Sequence, residues 1–265
     1  MVRALWTAAS GMKAQQLSVD TIANNLANVN TTGYKRQKVE FKDLLYATIR
    51  KSDLNDGVGS PVNLQVGHGV MPMATSRVFT TGNLESTGNP FDFAIEGEGF
   101  FVVETPTGEF RYTRDGNFKL SVDFDEVRLV TADGYTVLSE FDDEIAFMEG
   151  ISNINVSETG LITGENQDGE IEEIATIKLV KFLNPEGLEA IGKNLYKATV
   201  ASGEEIPMED ENRTSTIRQG YLETSNVQIV DEMVRMITAQ RAYEISSKTI
   251  QTADDMLGMA NNLKR

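Results

Sequence analysis

His68, set between Gly67 and Gly69, is the one histidine in 265 residues. Imidazole is the side chain best placed to move protons near neutral pH. Histidine catalysis also needs an orienting carboxylate and usually a nucleophile, and the flanking glycines supply neither, so His68 reads as a loop histidine. Asp123, Asp125 and Glu126 form a local carboxylate cluster of the kind used in general acid–base work, but it reads as a solvated turn. "NQDGEIEE" (166–173) is rich in oxygen ligands, yet it misses the register of a twelve-residue calcium loop. Gly97-Glu98-Gly99 lacks the third glycine of a dinucleotide-binding turn, and no βαβ unit follows it. There is no cysteine, which removes disulfides, thiolate catalysis and most zinc sites. No catalytic residue, cofactor or metal is expected, and the chain reads as a protein that is not an enzyme.

The other polar chemistry is that of amides. Ala23-Asn24-Asn25-Leu26 returns letter for letter as Ala260-Asn261-Asn262-Leu263. Asn is a mediocre helix former, but its amide both donates and accepts hydrogen bonds. Asn24, Asn25, Asn261 and Asn262 are therefore expected to point off an apolar seam and bond to packed neighbouring helices, while Leu26 and Leu263 continue the seam.

These phrases require two long helices to carry them. Leu5, Met12, Val19 and Leu26 recur every seven residues, with Ala8, Ile22 and Val29 at the d-like positions and Gln15 as the exception. This is a coiled-coil type of stripe. Asn30-Thr31-Thr32-Gly33 is turn chemistry, and it ends the helix near Val29 and sends the chain on at Tyr34. Ile229, Met236, Tyr243, Ile250 and Leu257 repeat the spacing at the other end, with small residues at Ala239, Ser246, Ala253 and Ala260. Ser225-Asn226 is expected to cap that helix. Val227, Val230, Val234 and Ile237 add a second stripe, which implies more than one neighbour. The two terminal helices are expected to lie side by side.

Between them the residue types change. From Gly82 to about Ala201, β-branched and aromatic runs alternate with Gly, Asp and Asn. Hairpin turns are expected at Glu98-Gly99, Thr107-Gly108, Asp115-Gly116 and Asp133-Gly134. "FKDLLYATIRK" suits a short helix or a strand. The Gly-rich "NDGVGSPVNLQVGHGVMP" is expected to be extended and to meet 207–223 on the return. The fold class is thus α+β: paired N- and C-terminal helices (1–33 and 219–265), an extended connecting region (34–85 and 205–218), and a β-rich domain (86–204).

Net charge is −16, which argues against nucleic acid as a partner. The charge is uneven. Residues 1–51 hold eight Lys/Arg against three Asp/Glu, whereas 52–213 hold ten against thirty-one. No stretch has the ~18–20 apolar residues of a membrane span, so no membrane insertion is expected. "MVRALWTAASGM" lacks the apolar region of a cleaved signal.

Several motifs, agreeing in order over nearly the whole chain, carry a family likeness. "LWTAASGMKAQQ", "LSVDTIANNLANVNTTGYKR", "GEGFFVVETPTGEFRYTRDGNFKL", "FLNPEGLEAIGKNLY" and the run from "GYLETSNVQIVDEM" to "DDMLGMANNLKR" resemble the bacterial flagellar rod and hook axial proteins. The length suits a distal-rod subunit better than the much longer hook subunit. The resemblance implies a structural subunit of a hollow helical shaft in the basal body, crossing the periplasmic space and transmitting torque to the hook. It implies an inner domain of coiled-coil terminal helices, an outer β domain, and a stiffening role for roughly Tyr34–Thr81. It implies self-association into a helical homopolymer, in which Asn24, Asn25, Asn261 and Asn262 bond to neighbouring subunits. It also implies as partners the proximal rod proteins, the hook protein, the surrounding L and P rings, and the flagellar type III apparatus that exports such chains without a cleaved signal. The alternatives are another axial subunit, proximal-rod or hook-like, and a secreted acidic β domain that binds a ligand or calcium.

Overall fold

Helix α1 spans Val2–Ala27 and helix α2 spans Ile229–Asn262. Both appear where the seven-residue spacing requires them in this computed structural model, which describes residues 2–51, 53–55, 58–60, 63–123, 126–147, 152–166, 170–208 and 213–262. Leu263 and Asp125 lie outside the described residues. The chain forms two compact units. One comprises Met1–Ala27, Gln37–Ser76 and Gln228–Arg265, and the other Asn28–Arg36 and Arg77–Val227.

In the first unit α1 and α2 pack together. Ala8, Ala14 and Ile22 are buried on α1, and Ala239 and Ala253 on α2. Small side chains let two backbones approach. A Cβ added to Gly11 would lie 3.5 Å from Ser246 Oγ. A two-stranded ribbon completes the unit. Gln37–Asp43 pairs with Val70–Arg77, Tyr46–Arg50 with Leu64–Gly67, and Asp53–Asn55 with Val58–Ser60. "FKDLLYATIRK" is therefore strand. Among the described residues, the Gly-rich stretch pairs not with 207–223 but with residues just before it, because a local hairpin closes a far shorter loop.

The second unit is built on a sheet of ten strands, counted over the described residues. Its central strand, Phe100–Glu104, pairs with Phe110–Thr113, Thr136–Val137 and Leu179–Lys181. Phe101 and Val103 enter one apolar cluster with Phe118, Leu129 and Ile177, while Phe100 and Val102 enter another with Leu138, Phe182 and Tyr196. The strand is covered on both faces, which is why "FFVV" is unbroken rather than alternating. A separate three-stranded sheet joins Ser152–Val156, Leu161–Glu165 and Ile171–Thr176.

Two of the four expected hairpins form, at Thr107-Gly108 and Asp133-Gly134. The other two do not. Phe93–Glu96, before Gly99, pairs instead with Thr216–Gln219 near the far end of the chain. Gly116 lies under Phe93, whose N–H donates to the Gly116 carbonyl at 3.0 Å. A Cβ there would stand 1.7 Å from Phe93 O, so its glycine serves close backbone approach rather than a hairpin turn. Tyr221–Glu223 pairs with Leu84–Ser86, so residues 219–227, expected with the terminal helices, pack in the β unit.

Candidate functional site

The candidate site is the surface and framework of the paired helices. The large seam residues Leu5, Met12, Val19, Leu26, Met236, Ile250 and Leu257 are half-buried, while Ile229 and Tyr243 are exposed. The closest packing falls instead to Ala8, Ala239 and Ala253, while Ser246 is half-buried and Ala260 exposed. Val230, Met233, Val234 and Ile237 lie at i, i+3, i+4 and i+7 along α2, and all four are exposed, Val230 by 72%. One chain therefore leaves an apolar stripe uncovered beside the seam.

Asn25 differs from its expected role. It is only 1% exposed. Its Oδ1 accepts the Gln37 N–H at 2.9 Å, and its Nδ2 donates to Gln37 O at 2.9 Å and to Glu232 Oε2 at 3.1 Å. The amide acts as a strand partner for Gln37, tying α1, the ribbon and α2 together. Its hydrogen-bonding capacity is satisfied within the chain rather than by a neighbouring subunit. Asn24, Asn261 and Asn262 are exposed. Glu232 is buried with Asn25, and Arg235 Nη1 stands 3.8 Å from its Oε1.

Asn30 is exposed in the turn that follows Ala27, whereas Gly33 and Tyr34 are buried. Gly33 has φ +65, and its N–H donates to Glu223 O at 2.8 Å. A Cβ there would lie 2.7 Å from the Arg114 carbonyl carbon, so the turn needs glycine on two counts. Two residues on, Lys35 enters the β unit. Its Nζ lies 2.6 Å from Glu223 Oε1 and 2.9 Å from Thr80 O. Glu223 Oε1 also accepts the Gly82 N–H at 2.7 Å. Arg114 Nη1 stands 3.5 Å from Glu223 Oε2, and Nη2 donates to Gly97 O at 2.7 Å. All three charged side chains are nearly inaccessible.

Two cations thus share one buried carboxylate. Burial, then the neighbouring Arg114 charge, push Lys35 down to about 8, with Glu223 opposing. Burial lowers Arg114 as well, and Glu223 again opposes. Asn226 adds a second clasp and does not cap α2 as expected. Its Oδ1 accepts the Arg36 N–H at 2.8 Å, and its Nδ2 donates to Val78 O at 2.8 Å. Its side chain is occupied there before the helix begins.

Lys35, Arg114, Glu223, Asn226 and Glu232 were not legible as a group. Up to 207 residues separate partners, as for Asn25 and Glu232, and isolated charges read as surface. The one signal was Lys35, inside the "TTGYKR" phrase. His68 is a loop residue whose Nδ1 lies 2.8 Å from Leu45 O. Among the described residues no group of three or more His, Asp or Glu could hold a metal ion, and no helix is long and apolar enough to cross a membrane.

Comparison with known proteins adds three family models. One for flagella basal body rod proteins matches residues 5–35, one for the D1 domain of the flagellar hook protein FlgE/F/G matches 94–164, and one for the C-terminal region of flagellar basal body rod FlgEFG proteins matches 218–263. The flagellar basal-body rod protein FlgG of Borreliella burgdorferi is 49% identical, with 100% of both chains covered. That of Caulobacter vibrioides is 43% identical over 99% of this chain and 100% of its own. That of Buchnera aphidicola subsp. Acyrthosiphon pisum is 42% identical, again over 99% and 100%. The crystal structure of the Helicobacter pylori flagellar hook protein FlgE2 aligns at 15% identity, covering 63% of this chain and 48% of that one. Its TM-score of 0.26 is too low to bear on the fold.

Proposed function

Because the chain belongs to the flagellar basal-body rod protein family, we propose that it is a structural subunit of the distal rod, the hollow helical shaft that carries motor torque to the hook. The observation that carries this reading is the pair of terminal helices whose half-buried seam and exposed Val230–Ile237 stripe await cover. A head-to-tail contact that does not close generates a filament. Coiled-coil packing of α1 and α2 with their copies would bury both surfaces in the shaft's inner layer. The ribbon within Tyr34–Thr81 would stiffen that layer. It presents Leu45, Tyr46, Ile49 and Met73 to neighbours.

In this reading the subunit is not an enzyme. It meets proximal rod proteins at one end of the stack and the hook protein at the other, with the L and P rings around it in the periplasm. It arrives unfolded through the flagellar type III apparatus without a cleaved signal.

Hydrogen exchange on the full chain before and after polymerisation tests the reading. Amides of α1 and α2 should gain at least tenfold protection on assembly, while the strands around Phe100–Glu104 stay protected throughout. Terminal helices already fully protected in a dilute monomer would sink it.

A further inference from the structure

Within the β unit, a pocket of about 170 Å³ is lined by Phe79, Glu98, Phe100, Arg114, Lys181 and Leu183. Arg114 is 2% exposed, its Nε has no hydrogen-bond partner among the described residues, and its guanidinium lies 5.8 Å from the Phe100 ring centre. Leu183 is 87% exposed at the rim. Lys35 stands with Arg114 on the shared Glu223 carboxylate. In a segment with thirty-one acids against ten bases, this pocket of mixed polar and apolar lining carries Arg114 and Lys181 against Glu98 and is locally cationic. It suits an aromatic side chain flanked by carboxylates.

Among the described residues the same unit carries such a side chain. Phe141 is 84% exposed at the tip of the turn in "SEFDDE", beside exposed Glu140 and Asp143. The turn is pinned. Ser139 N–H donates to Asp143 O at 2.8 Å and Asp142 N–H to Ser139 O at 3.0 Å, while buried Lys178 pairs with the Asp142 carboxylate. Asp142 is held at φ +64. A fixed turn loses little freedom on docking, which favours binding. An exposed aromatic with a charged rim has the anatomy of an interface anchor.

We propose that the Phe141 turn of one copy seats in the Arg114–Lys181 pocket of a neighbouring copy, as a lateral contact between β units. This rests on the self-assembly reading above and names one of its contacts. Anchor and pocket are different surfaces, so the contact is heterologous and can propagate along a filament.

Polymerisation of the full chain, followed by light scattering and electron microscopy, tests it. Phe141→Ala, Lys181→Glu, and the pair Glu140→Lys with Asp143→Lys should each raise the critical concentration about tenfold. Melting of the β unit should stay unchanged by circular dichroism. Combining Lys181→Glu with the two loop reversals should restore assembly. Variants that polymerise like wild type, or a combination without rescue, overturn this contact and leave the rod reading standing. Rescue seen only with another axial protein assigns the pocket elsewhere and also overturns it. A wild-type chain that never polymerises overturns the parent reading.

Discussion

Lys35 is held by a carboxylate that it shares with Arg114. Glu223→Gln would strand two buried cations and should destabilise the β unit by about 3–5 kcal/mol in a denaturant titration. The pH response has a definite sign. The folded-state pKa of Lys35 is about 8, against 10.5 for an ordinary lysine. The unfolded chain therefore binds more protons between those values. Lys35's contribution to stability is full above 10.5 and is lost as pH falls through about 8. Wild type should thus gain stability relative to Lys35→Met as pH rises from 8 to 10.5, and a flat difference would rule this out. Only the place of Lys35 in the "TTGYKR" phrase was legible beforehand, not its partners. A lysine after a Gly-Tyr turn reads as solvated until the strand carrying Glu223 is placed beside it.

At the scale of elements, the junction of α1, the ribbon and α2 depends on one amide. Asn25→Ala removes both partners of Gln37's backbone and one partner of Glu232. An orphaned buried polar group costs roughly 1–3 kcal/mol. The Gln37 amide should then exchange faster than in wild type, with the strands of the β unit unaffected. Unchanged protection at Gln37 would show that the amide is dispensable. The two helices and their approximate ends were readable from the seven-residue spacing. The expected outward role of Asn25 was not correct, because helix periodicity places a residue on a face without saying which distant strand covers it.

At the scale of the whole molecule, two units with separate cores should respond separately to damage. Met236→Asp and Leu257→Asp place a charge in a half-buried position of the helical unit. Each should abolish polymer formation in sedimentation assays while the β unit melts within about 2 °C of wild type. Wild-type polymers from either variant would remove the seam from the assembly surface. High salt should weaken the apolar helix seam less than the acidic Phe141 contact, since apolar burial is not screened.

What the sequence determined by itself was whatever is periodic or local. The terminal helices follow from heptad spacing, the Thr107-Gly108 and Asp133-Gly134 turns from residue chemistry, and the family from motifs spread over the chain. Only the tertiary structure decided which strand meets which. Phe93–Glu96 chose Thr216–Gln219 over its sequence neighbour, and Lys35 found Glu223 across 188 residues. Such pairings are set by burying both faces of a strand and by neutralising buried charges, and neither leaves a short-range mark in the sequence.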